Sequence, residues 1–121
     1  MPLITIWNWQ STERDKLPEL REALSRAVMD IEVLGLRDEI DEFDYDLFTI
    51  CYGGQAWSDH RKAHLTILVE ILFEKPERTE AVRLHLAEAL GRAAKSVIGQ
   101  HRRVEVAVKR FNQDRDGFWA G

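Results

Sequence analysis

The sequence predicts an α/β (α+β) domain of tandem β-α-β units, with a four-stranded mixed sheet carrying two helices on one face. Three observations lead there. Two stretches, Leu17 to Leu34 and Val82 to Val97, repeat apolar residues at helical spacing. Four short apolar segments bracket them in the order strand–helix–strand, strand–helix–strand. The two halves, about 1–57 and 62–121, match in length and in this succession of elements, as expected of an internal duplication within one domain, 1–121.

The first strand is Leu3 to Trp9, where Ile4 and Ile6 point one way and Thr5 and Trp7 the other. A polar stretch, Gln10 to Lys16, follows, in which Thr12 or Asp15 is suited to cap a helix. The helical stripe is then Leu17, Leu20, Leu24, Ala27, Val28, Ile31 and Leu34. Pro18 must lie in its first turn, because an interior proline removes a hydrogen bond and clashes with the preceding turn. Gly35 suits the stop. After the acidic stretch Arg37 to Asp44, a strand spans Asp46 to Tyr52 and ends at Gly53–Gly54.

The polar linker Gln55 to Ala63 is long for a hairpin and suits a crossing between two parallel βαβ units better than the tight turn of a ferredoxin-like fold. Leu65 to Phe73 is nearly all apolar, as a central strand would be. Thr79 caps the second stripe, Val82, Leu86, Ala89, Leu90, Ala93 and Val97, and Gly99 ends it. Val104, Val106 and Val108 alternate with Glu105, Ala107 and Lys109 to give the last strand. A turn-rich tail, Asn112 to Gly121, carries Phe118 and Trp119.

Composition narrows the functional classes. The chain is 45% hydrophobic and 31% charged, ordinary for a folded domain, with a formal net charge of −4. That acidic balance argues against sequence-independent nucleic-acid binding, which depends on neutralising phosphates. Arg102–Arg103 and Lys109–Arg110 read as solvated strand flanks. The longest apolar run, Leu65 to Phe73, is too short to span a membrane and no secretory leader is discernible, so the expected location is the cytoplasm. Cys51 is the single cysteine and lies in an apolar run, where a buried, inert thiol is expected. His60 and His64 stand four apart near Asp59, but a third ligand at a recognisable spacing is missing and no metal is expected.

Three groups of residues are candidates for chemistry. Pro2, once Met1 is removed, presents a secondary amine, and burial would lower its titration toward neutral pH, where a general base works best. Lys75 and Arg78 flank the turn into the second helix, where their charges and the helix N-terminus suit a carboxylate. Among the carboxylates, Asp44 before the second strand and Asp116 in the tail are possible acid/base groups.

Pro2, the two βαβ halves and the basic turn together resemble the tautomerase superfamily. Glu77-Arg78-Thr79-Glu80 is similar to that family's Gly-Arg-Ser/Thr-Asp/Glu turn, and the Val104–Val108 run with Asp116-Gly117-Phe118-Trp119 is similar to its last strand and aromatic tail. Lys75-Pro76-Glu77-Arg78-Thr79 resembles the Arg-x-x-Arg-Thr of the cis-type chloroacrylic acid dehalogenases; malonate semialdehyde decarboxylases carry a similar pair one residue closer. The resemblance implies a tautomerase-like fold, a homotrimer of fused chains, no cofactor, Pro2 as acid or base, and Arg78 and Lys75 as binders of a small carboxylate substrate. Phe118 and Trp119 would wall the pocket. The first half reads Gln10-Ser11-Thr12 at its basic turn, and His64 stands where the second half would begin with proline, which implies one active site per chain. Val28 and Met29 occupy the region where the dehalogenases use a histidine.

The expected function is therefore a tautomerase or isomerase acting on a small 2-oxo acid or enol carboxylate. Alternatives on the same site are hydration, dehalogenation or decarboxylation of a three-carbon acid, with Asp44 or Asp116 activating water. A non-catalytic trimeric binding module and a cofactor-free dimeric α/β-barrel protein remain open.

Overall fold

The computed structural model describes residues 3–9, 15–35, 48–52, 64–112, 114–117, 119 and 121, with the backbone only for 8–9, 48–52 and 64. Pro2, Thr12, Asp44, His60, Phe118 and the linker at 55–63 lie outside the described residues, as does the side chain of Cys51.

The chain is a mixed α/β domain. Its order is β1 (Leu3–Trp9), α1 (Leu17–Met29), a 3₁₀ turn (Glu32–Leu34), β2 (Phe48–Tyr52), β3 (His64–Phe73), α2 (Glu80–Ile98) and β4 (Arg103–Phe111). The body of the sheet is β1-β3-β4: β1 pairs antiparallel with β3, and β3 pairs parallel with β4. The short β2 runs parallel to β1 along the other edge, giving the order β2-β1-β3-β4. In a split βαβ arrangement another strand would separate β3 from β4. Here α2 joins two direct neighbours, so the ferredoxin-like alternative does not apply.

Two rows of side chains cross the sheet under the helices. Ile6 pairs with Ile67 and Ile67 with Val106; Ile4 pairs with Val69 and Val69 with Val108. Leu20, Leu24 and Val28 of α1 and Leu86, Leu90 and Ala94 of α2 close over them in one buried cluster. Both helices therefore cover the same sheet face. The opposite face presents Leu3, Trp7, Thr66 and Leu68, all half-buried, with exposed Ala107 and Lys109.

Several local details depart from the sequence expectation. The α1 stripe is not one continuous helix. The helix stops at Met29, Ile31 leaves helical geometry (φ −90°, ψ 87°), and the 3₁₀ turn closes on Gly35 at φ 66°. Ile31 and Leu34 stay buried because residues three apart share a face of a 3₁₀ turn. The cap of α1 is Lys16, with no side-chain hydrogen bond, rather than Asp15; Pro18 does sit in the first turn. Thr79 caps α2 as expected, its hydroxyl accepting from the Val82 N–H at 3.3 Å.

The third strand is not regular. Between Val69↔Val108 and Leu72↔Arg110, two residues of β3, Glu70 and Ile71, face the single Lys109. This is a β-bulge, and Ile71 takes φ 55°, a left-handed conformation costing a β-branched residue on the order of 1–3 kcal/mol. The bulge shifts the alternation by one. Leu72 rather than Ile71 enters the core, and Phe73 turns to stack on Phe111 with ring centroids 5.7 Å apart. A matching irregularity separates Ile6 from Trp9 in β1 opposite β2. Each half thus carries a shift in its first strand.

Truncating Leu90 or Ile67 to alanine should lower unfolding free energy by about 2–5 kcal/mol, whereas Leu84→Ala on the exposed side of α2 should stay within about 0.5 kcal/mol. Urea denaturation followed by circular dichroism measures both.

Candidate functional site

The pairing directions gather several chain ends at one edge of the sheet. Because β3 and β4 are parallel, both finish there, at Phe73 and Phe111. Because β1 is antiparallel to β3, it starts there, with Leu3 opposite Glu70. The chain leaves β3 through residues 74–79, closed by an Arg78 N–H to Lys75 carbonyl bond of 2.9 Å, and enters α2. The carboxyl ends of strands in open α/β sheets are the usual place for ligands.

Arg78 is the anchor of this turn. It is only 7% exposed. Its Nη1 donates to the Phe73 carbonyl and its Nη2 to the Leu34 carbonyl, each at 2.8 Å. The second bond spans the two halves, satisfying a carbonyl at the end of the 3₁₀ turn, where a cation also meets the negative end of the helical dipoles. The Arg78 Nε–H is buried without a partner. In return, the Arg78 carbonyl accepts from Arg83 Nη1 at 2.7 Å.

Around this anchor lies an open depression of about 380 Å³ lined by Glu74, Lys75, Pro76, Arg78, Arg83, Arg110 and Asn112. Four of these are cations and one is a carboxylate. Glu74 is engaged: Oε1 accepts from Arg110 Nε at 2.7 Å and Oε2 from Asn112 Nδ2 at 3.3 Å. The Arg110 hydrogen bond is the main cause holding the Glu74 carboxyl below its ordinary range. The Arg110 and Arg83 charges and the Asn112 bond add to it, and desolvation opposes it. Lys75 is exposed and pairs with no described residue.

The structure thus brings Lys75 and Arg78 to one hollow, but as unlike partners, one free and one enclosed. Asp116 is exposed at the neighbouring turn, where its Oδ2 accepts the Asn112 N–H at 2.6 Å; the Asn112 side chain in turn accepts from the Asp114 and Arg115 N–H groups. Trp119 is 85% exposed and is not among the described residues lining the depression. A larger hollow, about 470 Å³, runs along α1 beside Leu17, Pro18 and Met29 and holds none of the residues proposed from sequence as catalytic, acid/base or pocket groups. Sequence reasoning missed Glu74, Arg83 and Arg110. Arg83 was hidden inside an amphipathic helix, and Arg110 was read as a solvated flank. Among the described residues, no helix is long and apolar enough to cross a membrane.

No protein-family model matches the chain, and no curated protein matches it in sequence.

Two outcomes follow from this geometry. Arg78→Met should cost roughly 2–6 kcal/mol in urea unfolding, about 1–3 kcal/mol for each carbonyl left unpaired. Glu74 has a lowered folded pKa, so its contribution is complete above the unfolded carboxyl value of about 4.3 and is lost as pH falls through the folded value below it. Glu74→Gln should therefore flatten the acid limb of a stability-against-pH profile and leave the slope between pH 6 and pH 8 unchanged, to about the precision of such unfolding curves.

Proposed function

We propose that the chain is a cofactor-independent acid–base enzyme of the tautomerase type, acting on a small 2-oxo acid or enol carboxylate. In this reading the fold is tautomerase-like: two βαβ units meeting at their first strands in one four-stranded sheet. The observation that carries it is the pairing of Leu3 with Glu70, which sets the start of β1 at the same sheet edge as the Lys75–Arg78 turn. The residue preceding Leu3 is Pro2. With Met1 removed, its secondary amine would move a proton between carbon and oxygen, taking it from the carbon next to the oxo group and delivering it to the oxygen of the enolate so formed. The cations of the turn would hold the carboxylate and stabilise the charge that develops. Phe118 and Trp119 would shield the pocket, in a cytoplasmic homotrimer.

Hydration, dehalogenation or decarboxylation on the same site would use Asp44 or Asp116 to activate water. Asp116 already accepts a backbone N–H, which commits one of its oxygens. A specific observation favours a non-catalytic binding module as the second reading: both amino groups of Arg78 are occupied by main-chain carbonyls.

Intact mass spectrometry before and after treatment with a small halogenated propiolic acid separates these readings. The enzyme reading expects a chain lacking Met1 that gains one adduct per subunit, abolished in Pro2→Ala. A chain that keeps Met1, or one that stays unmodified, removes the proline chemistry and leaves the binding module.

A further inference from the structure

We infer that Arg83, rather than Arg78, is the guanidinium that contacts a small carboxylate in this depression, and that the Arg78 side chain is structural, holding the turn together. This rests on the carboxylate-binding part of the function proposed above and assigns its contacts to particular side chains.

Arg78 is poorly disposed to receive a ligand. Fork-to-fork recognition of a carboxylate needs two parallel N–H groups on an open edge of the guanidinium. Both amino groups of Arg78 already donate to carbonyls, the residue is 93% buried, and its Nε–H is sealed from solvent. Its hydrogen bonds tie β3, the 3₁₀ turn and the start of α2 together, which is a structural task.

Arg83 has the opposite character. It is half-buried at the rim of the depression, and its Nη1 is fixed on the Arg78 carbonyl at 2.7 Å. That bond orients the planar group and leaves its Nε and Nη2 without a described partner. Glu74, the carboxylate of the depression, is hydrogen-bonded by Arg110 and Asn112. Helix stability does not account for Arg83 either. Its N–H bonds the carbonyl of the N-cap Thr79. It therefore sits in the first turn of α2, where a cation opposes the helix dipole. An oriented cation that shares Glu74 with Arg110 and is placed against the local field is what an incoming anion would satisfy. Lys75, exposed and unpaired on the same depression, supplies a second, adjustable charge.

The test is calorimetric titration of the full chain with pyruvate, with thermal unfolding of each variant. Arg83→Gln should raise the pyruvate Kd about tenfold or more and, because it releases only the Arg78 carbonyl, lower Tm by less than Arg78→Lys does. Arg83→Lys should recover part of the affinity. Arg78→Lys, which keeps the charge and is more tolerant of folding than a neutral replacement, should lower Tm by about 5 °C or more while Kd moves less than about threefold. Wild-type affinity in Arg83→Gln, a Tm loss in Arg83→Gln equal to that in Arg78→Lys, or no saturable pyruvate binding to the parent chain would each overturn the assignment. Pyruvate binding that depends on Arg83 in a chain whose proline is not alkylated would support the assignment while removing the proline chemistry.

Discussion

The antiparallel seam between β1 and β3 is the contact from which the remaining architecture follows. Each half pairs its own strands in parallel through a crossover helix, and the seam joins the two into one buried cluster. The seam lays Ile4 against Val69 and Ile6 against Ile67, and these four residues are buried beneath both helices. A slip of one residue by either strand would turn its two to the other face, so the register is tightly specified by burial. The same antiparallel sense brings the start of β1 to the edge where β3 and β4 end. The position of the candidate site is thus a consequence of how the core is assembled.

Arg78 makes a second join between the halves, polar where the seam is apolar. A guanidinium enclosed at this depth is tolerated only when its N–H groups find acceptors, and two main-chain carbonyls supply them. The Leu34 carbonyl exists as an acceptor because α1 breaks at Asp30 and finishes in a 3₁₀ turn, leaving a carbonyl with no partner in its own helix. The irregular end of one helix and the basic residue before the next are therefore parts of one interaction. Its cost is the unpaired Nε–H. Its result is a rigid turn whose free carbonyl orients Arg83.

Charge around the depression is arranged unevenly. Arg110 and Asn112 neutralise Glu74, and Asn112 in turn organises the turn holding Asp114 and Asp116. The bulge at Ile71 contributes by turning Phe73 onto Phe111, which fixes the ends of β3 and β4 beside each other. With the one lining carboxylate hydrogen-bonded to Arg110 and Asn112, Lys75 and Arg83 form no ion pair with a described residue. A chain of net charge −4 thus concentrates local positive charge at one sheet edge, and a low-dielectric wall beneath it strengthens attraction for a small anion.

By itself, the sequence determined the elements and their faces. Apolar spacing picked out Leu20, Leu24 and Val28 on one helix and Leu86 and Leu90 on the other, and alternation picked out Ile4, Ile6 and the valines of the last strand, because these patterns are set by helix and strand periods. The Thr79 cap and the Lys75–Arg78 turn were legible for the same local reason. Tertiary structure decided the rest. The bulge at Ile71 could not be seen in a run of apolar residues, where either phase looks equally buried. The division between Arg78 and Arg83 was equally hidden. Two arginines five apart look alike in a sequence, and only the packing of a distant 3₁₀ turn encloses one and leaves the other half-buried on the lining of the depression. Spacing along the chain fixes which face a side chain takes. Its hydrogen-bond partners depend on segments brought together from 44 residues away.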